Sequence, residues 1–265
     1  MPLIPWRTRA HYHRYYSKSL GHMADHMVFG RIASIGALCL WVTMSSQCAD
    51  ANESIDANTH DKVQSMLAHE PEALKHLKSM LAQYIGDPMY VYKLCGTCIV
   101  VLKRRADTQT NESRANIVDL RYAKHRGSRF DVEQIVDLVN IQPTQTAHSD
   151  HAPAFQYMVG KTVNPYGFDM DLDKVCAHGI HFYVDINPAF YHMGLYQRDK
   201  VVLQGIWKSW YPNGQPDCVY EFVDGKPHRM SYKYNDKGTL MCESFYMDGL
   251  RAYRYRGGEW VTEKW

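Results

Sequence analysis

The chain has 265 residues, a formal net charge of +2, 45% apolar residues and 22% charged residues. This length allows one large domain or two small ones, and the composition is that of a globular protein, which excludes global disorder. The near-neutral charge excludes a protein that holds nucleic acid through its overall charge.

The cysteine count indicates free thiols. Seven cysteines are an odd number and too few for a disulfide scaffold of this size. Removing the first 51 residues still leaves an odd set, namely Cys95, Cys98, Cys176, Cys218 and Cys242. A reducing compartment is the simpler interpretation.

Residues 1–52 are predicted to be a leader, and residues 1–43 are expected to form no part of the folded core. Basic residues precede an apolar run over 32–44, and Ala49-Asp50-Ala51 resembles a signal-peptidase site. The segment 27–51 therefore resembles a signal peptide, best formed if translation begins at Met27, and a real signal here would make the protein secreted or membrane-associated. A start at Met44, with an over-extended or disordered leader before it, would instead place the protein in a host cytoplasm or a virion. An organellar leader is a further alternative.

Residues 53–85 are predicted to be helical. Thr59 is a candidate N-cap for a first helix, and Pro71 stands where a second helix would begin. One apolar face recurs at helical spacing and is expected to pack into a core; it consists of Leu74, Leu77, Met80, Leu81 and Tyr84.

Residues 86–195 are predicted to form a compact, mainly β domain. Segments 89–94 and 98–102 flank Gly96-Thr97, which favours a two-residue hairpin with a type II′ turn. Further strands are expected over 117–120, 155–159 and 179–184, and a short helix is expected from Asn187-Pro188 to Tyr191. The apolar spacing in 130–141 favours a helix, and residues 142–153 have the composition of a polar loop.

The region 200–265 contains an internal repeat of 24 residues. The offset relates Gly214 to Gly238, Cys218 to Cys242, Phe222 to Tyr246, Asp224 to Asp248, Gly225 to Gly249 and Trp210 to Tyr234. A fixed period of this length is typical of a unit that stacks on its own copy.

Two resemblances follow from these residues. Phe155-x-Tyr157-x-Val159-Gly160 and the later Cys176-Ala177-x-Gly179-Ile180-His181-Phe182 resemble an uncharacterised domain of large DNA viruses of protists, over about residues 89–193. Departures from that pattern are Arg104-Arg105 and Ser113. The resemblance implies a fold and no reaction.

The C-terminal repeat resembles MORN-type β-hairpin repeats, through Trp207-x-x-Trp210-Tyr211-Pro212-Asn213-Gly214 and Phe222-x-Asp224-Gly225. Together the patterns predict an α+β protein: short N-terminal helices, a compact mainly β domain, and a C-terminal antiparallel sheet of MORN-type repeats. The resemblance implies a scaffold that binds protein or lipid.

The leading functional hypothesis is a non-enzymatic interaction module, of viral origin, that binds a protein partner through an aromatic face of the repeat. Large aromatic side chains dominate binding hot spots. The candidates are Trp207, Trp210, Tyr211, Tyr232, Tyr234, Tyr246 and Tyr253. The alternative hypothesis is that several of these residues only pack the repeat against its neighbour. A lipid surface is a second candidate partner.

The rival hypothesis is an enzyme or nucleotide-binding protein. It would use His181 as a general base and Cys176 as a nucleophile, with Arg114 or Lys93 contacting an anion. The preferred interpretation of a histidine within Ile180-His181-Phe182 is a core residue bonded to a backbone carbonyl.

Metal and nucleic-acid sites are not expected. Cys95, Cys98, Cys176 and His178 or His181 are of the types that bind zinc, but the first two simply flank a tight turn. The basic residues between 103 and 129 are interpreted as a solvated face, with few aromatic residues among them for stacking on bases. No cofactor motif is present.

Overall fold

The computed structural model describes residues 55–150, 152, 154–196, 203–247, 250–255 and 258–264. The predicted leader, with the signal-like segment and the Met27 and Met44 start sites, lies outside these residues. The chain divides into two compact units, residues 1–56 and residues 57–265. Of the first unit, only Ile55 and Asp56 are described.

Three helices are described. Helix α1 spans Ile55–Ala68, α2 spans Glu72–Met80 and α3 spans Ile186–Tyr196. Pro71 occupies the N-cap position of α2, as predicted, but Thr59 lies inside α1, so its predicted capping role is wrong. Nowhere in the described ranges is a helix both long enough and apolar enough to span a membrane.

The apolar face of α2 is in the core, as predicted, since Leu74, Leu77 and Leu81 have no exposed surface. Helix α3 begins near the predicted residues and runs five residues beyond Tyr191. The Asp185 carboxylate accepts a hydrogen bond of 2.7 Å from the backbone amide of Asn187, and this bond caps the first turn of α3.

The first sheet is antiparallel and contains five strands. These are β1 (Tyr90–Cys95), β2 (Cys98–Lys103), β4 (Phe130–Asp137), β5 (Gln142–Thr144) and β8 (Thr162–Val163). The order is β1-β2-β4-β5, with β8 also paired to β4. Cys95 pairs with Cys98 across Gly96-Thr97, and Gly96 has φ +60°. Thr97 is not among the residues with positive φ, so the turn fits the predicted type II′ rather than type I′.

The predicted helix over 130–141 is wrong, because β4 occupies residues 130–137 and a turn follows over 138–141. Val101 pairs with Gln134 and Leu102 pairs with Val132, so Glu133 is an extra residue in a β-bulge. The bulge changes the spacing of buried residues from two to three between Val132 and Ile135. That spacing imitates a helical period.

Two other predictions for this region are corrected. The expected loop over 142–153 contains β5 and β6 (Thr146–His148). Pro143 is tolerated because β5 lies at a sheet edge. The expected strand over 117–120 consists of turns and bends instead.

Short strand pairs complete the domain. The predicted strands near 155–159 and 179–184 are observed as β7 (Gln156–Met158) and β9 (Ile180–Phe182). Strand β7 pairs with β6, and β9 pairs with β3 (His125–Gly127). The motif that contains His181 therefore lies beside His125 and Arg126.

The C-terminal region is an antiparallel sheet, as predicted. Its strands are β10 (Gly205–Trp210), β11 (Pro216–Val223), β12 (Lys226–Pro227), β13 (Arg229–Tyr234), β14 (Leu240–Met247), β15 (Leu250–Tyr255) and β16 (Val261–Lys264). The order is β10-β11-β13-β14-β15-β16, with β12 on β11. The register shifts at Ser209/Trp210 and again at Lys233/Tyr234, which are 24 residues apart. The sequence period is thus also a period of backbone geometry.

One apolar cluster joins the pieces of the second unit. It contains Leu77 of α2, Ile99 of β2 and Phe190 of α3, together with Trp207 and Phe222 of the C-terminal sheet. The helices, the first sheet and the start of the repeat sheet therefore share a core.

Candidate functional site

His181 lies in the middle of β9 and is half-buried. Its Nε2 is 2.9 Å from the carbonyl oxygen of Val175. Neighbouring Ile180 and Phe182 are buried in the core of the first sheet. Since side chains alternate along a strand, His181 points away from that core, toward the segment that precedes Cys176.

Arg126 organises this segment. It is fully buried, and its guanidinium donates to main-chain carbonyl oxygens of Lys174 (2.7 Å), His178 (3.2 Å), Asp169 and Asp171. Its Cζ also lies 4.8 Å from the Phe168 ring centroid. Residues 168–178 are therefore folded around a single arginine.

Gly179 shows why the Cys-Ala-x-Gly-Ile-His-Phe motif needs a glycine. Its φ is +142°, and an added Cβ would lie 3.2 Å from Phe168 and 3.3 Å from the Arg126 Cβ. Both backbone conformation and space favour glycine here. The glycine of the motif thus has a structural explanation that requires no reaction.

The zinc candidates do not form a cluster. Cys176 and His178 are exposed, whereas Cys95 is buried beside the hairpin turn that it shares with Cys98. Burial raises the pKa of Cys95 to about 12 and also raises the pKa of Cys98, which opposes the thiolate that a metal requires. Within the described ranges, no three His, Cys, Asp or Glu side chains form a group that could hold a metal ion.

The residues of the enzyme hypothesis occupy different places. Arg114 is buried, and its Nη1 lies 3.2 Å from His125 Nδ1. His125 and His181 lie on opposite faces of the β3–β9 pair, because Arg126 is the residue that pairs with His181. Lys93 is half-buried in β1, 6.0 Å from the Tyr157 ring centroid. Arg114, Lys93 and His181 therefore have distinct surroundings.

The basic residues between 103 and 129 are extensively paired within the protein. Their acidic or carbonyl partners explain most of the concentration seen in the sequence. The pairs are Lys103–Glu133, Arg104–Glu112, Arg105–Asp131, Arg121–Asp119 and Arg129–Asp107, while Arg114 and Arg126 donate to main-chain carbonyls. Most of these cations therefore have partners within the protein. The prediction of a solvated basic face is wrong for Arg114 and Arg126, because both are buried.

The aromatic candidates are divided between the two faces of the repeat sheet. Strand register places Lys208 opposite Val219 and Val219 opposite Tyr232, so these three side chains share one face of the sheet. Because side chains alternate along each strand, the same register places Trp207 and Tyr253 on the other face. We call the face that carries Trp207, Tyr246 and Tyr253 the first face, and the face that carries Val219 and Tyr232 the second face.

Helix α1 covers part of the second face. Val63 and Met66 form an apolar cluster with Val219 and Tyr232, and Tyr234 packs against its edge. Lys208 of this face donates to the Leu67 and His69 carbonyls at the end of α1. Tyr232 and Tyr234 therefore have a packing role.

The first face is covered at one end by α3. The Trp207 ring stacks on Phe190 at 5.8 Å and meets Tyr191 edge-on at 5.5 Å. Farther along, Tyr253 is half-buried, and the Arg251 Cζ lies 4.5 Å from its ring centroid. Tyr246 is buried, with 8% of its surface exposed.

Tyr211 and Trp210 lie at the turn of the first repeat hairpin, and both are half-buried. The Tyr211 hydroxyl donates to the Tyr234 carbonyl at 2.7 Å, and Lys233 Nζ lies 5.4 Å from the Tyr211 ring centroid. Trp210 stacks on Tyr122 with ring centroids 5.1 Å apart. Of the seven candidates, the four half-buried ones are Trp210, Tyr211, Tyr234 and Tyr253.

The sequence did not indicate a clamp between this turn and residues 114–124. Arg114 Nη2 donates to the Pro212 carbonyl at 2.6 Å, and the Lys124 amide donates to the same oxygen at 3.1 Å. The Val118 amide donates to the Asn213 carbonyl at 2.8 Å. We call this contact the turn clamp. Its signal in the sequence is weak, because its acceptors are main-chain atoms.

Comparison with known proteins adds one finding about identity. No curated protein and no solved structure matches the chain. Residues 85–189, which contain the first sheet, the β3–β9 pair and the Arg126-centred segment, match the model of a family of unknown function, DUF5758.

Proposed function

We propose that the protein is a non-enzymatic interaction module that binds a protein partner through the first face of its repeat sheet. The observation that carries this proposal is the periodic geometry of the sheet. Two hairpins repeat after 24 residues with bulges at equivalent positions, so the sheet is a regular platform. Helix α1 packs on the second face, which leaves the first face as the better candidate for a partner.

The aromatic residues that favour this face are Tyr253 and Tyr211. Tyr211 lies at the turn, and its ring is close to Lys233, which alternates with Tyr232 and therefore belongs to the first face. Both tyrosines are half-buried, so their rings are held by neighbouring side chains while part of each surface reaches solvent. Tyrosine gives a large contact area with little loss of side-chain entropy, which suits a binding surface. Trp207 and Tyr246 lie on the same face but are buried, so they offer little surface to a partner.

The finer assignments belong to the same proposal. MORN-type identity for residues 200–265 and a viral origin rest on the resemblance of the sequence motifs. A protein partner is favoured over nucleic acid because many basic side chains of residues 103–129 already have internal partners. A lipid surface is the remaining alternative for the platform.

The test is site-specific photo-cross-linking in the full chain. A benzophenone amino acid replaces Tyr253 or Tyr211 on the first face. It also replaces Tyr166, an 87% exposed tyrosine outside the sheet, as the matched control. Irradiation in an extract of the source organism should give protein adducts at the first-face positions and not at Tyr166.

Point replacements are preferable to deletion of residues 200–265, because Trp207 and Phe222 belong to the shared core. Equal adducts at Tyr166 and Tyr253 would contradict the proposal. Adducts with lipid alone, or none at either first-face position in a chain with an unchanged melting temperature, would also contradict it.

A further inference from the structure

A buried chain of hydrogen bonds connects His125 to the turn clamp. His125 has no exposed surface, and its Nε2 lies 2.9 Å from the Leu120 carbonyl oxygen. Its Nδ1 lies 3.2 Å from Arg114 Nη1, and Arg114 Nη2 donates to the Pro212 carbonyl at 2.6 Å. The His125 imidazole therefore contacts Arg114, the residue that binds the repeat turn.

The partners of His125 determine its protonation state. A guanidinium can only donate, so Nδ1 must be the acceptor, and Nε2–H donates to the Leu120 carbonyl. This arrangement requires the neutral imidazole. Burial lowers the pKa of His125, although the bond to Leu120 opposes that effect.

Charges of both signs surround His125. Arg114 faces Nδ1, and Arg104 at the end of β2 adds a second positive charge nearby. Glu112, which pairs with Arg104 at 2.6 Å, acts in the opposite direction and raises the pKa of His125, so the contact between Arg114 and Nδ1 is the feature that protonation would disrupt. On the β9 side the neighbour is the uncharged Phe182 ring, with centroids 5.5 Å apart.

Protonation would replace an acceptor by a donor at Nδ1. Two N–H groups and two positive charges would then face each other across the 3.2 Å contact, and Arg114 would have to move. Movement of Arg114 breaks its hydrogen bond to the Pro212 carbonyl. The turn would then be held by the hydrogen bonds from main-chain amides such as those of Val118 and Lys124.

We propose that His125 and Arg114 form an acid-sensitive latch, in which protonation of His125 releases Arg114 and loosens the turn of residues 211–214 from residues 114–124. The direction follows from linkage. The open state, in which His125 regains its ordinary pKa of about 6.5, binds more protons than the closed state. The latch is therefore fully closed above about pH 6.5 and weakens as the pH falls below it.

The test measures hydrogen exchange of the Val118 and Lys124 amides in the full chain from about pH 7.5 to about pH 5, corrected for the intrinsic pH dependence of exchange. Their protection factors should fall by up to about tenfold per pH unit below about pH 6.5, as expected for one proton. The amides of Ile99 and Val101, in the β2 ladder, should keep their protection over the same range.

His125→Gln is the decisive variant, since its side-chain amide can accept from Arg114 and donate to Leu120 without titrating. The acid-dependent loss should disappear in His125→Gln and remain in His148→Gln, which changes an exposed histidine. If His125→Gln does not fold, Arg114→Gln is measured instead. In that variant the amides of Val118 and Lys124 should be weakly protected at every pH.

Three results would overturn the latch. The first is unchanged protection of Val118 and Lys124 down to pH 5 in the native chain. The second is the same acid-dependent loss in His125→Gln, or in Arg114→Gln where that variant is used. The third is a parallel loss at Ile99 and Val101, which would indicate global unfolding rather than release of the turn.

Discussion

Arg126 is a buried cation held by main-chain carbonyls of residues 169, 171, 174 and 178. A guanidinium suits this position because its donors are fixed in a planar fork that can reach several acceptors at once. The carbonyls turn inward to Arg126, and the side chains of Cys176 and His178 are left exposed. A single residue thus decides the conformation of the segment that contained the candidate nucleophile.

Replacing Arg126 with lysine should destabilise the protein by about 2–3 kcal/mol, because an ammonium cannot reach the same set of carbonyls and leaves some unsatisfied. Chemical denaturation measures the free energy of unfolding, and limited proteolysis should show cleavage within 168–178. The control is Arg129→Lys, whose arginine pairs with Asp107 at a partly exposed site and should change stability by less than about 1 kcal/mol. Equal effects of the two variants would refute the role given to Arg126.

At the scale of elements, the repeat hairpins use equivalent glycines in different surroundings. Gly214 has φ +90° and Gly238 has φ +80°, so both turns need the left-handed conformation. An added Cβ at Gly214 would lie 2.1 Å from the Asp119 carbonyl oxygen, within the turn clamp. At Gly238 the nearest atom is the end of the flexible Gln215 side chain, at 2.4 Å.

This pair gives a matched experiment on the clamp. Gly238→Ala should cost about 1 kcal/mol of stability, since backbone strain is its main effect and Gln215 can move away. Gly214→Ala should cost at least about 2 kcal/mol more, because a main-chain carbonyl must also move. Denaturant unfolding of both variants measures the difference, and equal losses would show that the clamp contributes nothing to stability.

At the scale of the whole molecule, the stretch matched by the family model is smaller than the core that supports it. Leu74, Leu77 and Leu81 precede residue 85, and Phe190, Trp207 and Phe222 follow residue 189, yet all belong to one apolar cluster. A fragment of residues 85–189 would expose one side of the first sheet to solvent. Burial of apolar surface is the main favourable term in folding, so this exposure is costly.

We therefore expect that residues 85–189 alone will not unfold cooperatively, whereas residues 55–265 will. Calorimetry of the two fragments makes the comparison, and binding of a hydrophobic dye should be high only for the shorter one. A sharp, reversible transition in the shorter fragment, with an enthalpy appropriate to its length, would show that the matched stretch is autonomous.

The sequence by itself determined the features that depend on local patterns. The 24-residue period, the Gly96-Thr97 turn and the helical face of Leu74, Leu77 and Leu81 were all readable, because spacing and backbone preference act within a few residues. The α+β class and the C-terminal antiparallel sheet follow from the same local patterns.

Tertiary structure alone decided the rest. The extra residue at Glu133 exists only because β4 pairs with β2, and it made a strand resemble a helix. The distribution of the aromatic residues over two faces depends on register between strands, which no single segment specifies. Arg114 and Arg126 resembled surface cations, but both are buried and donate to main-chain carbonyls distant in sequence. Carbonyl groups are the same in every residue, so a site built from them leaves no trace in the sequence.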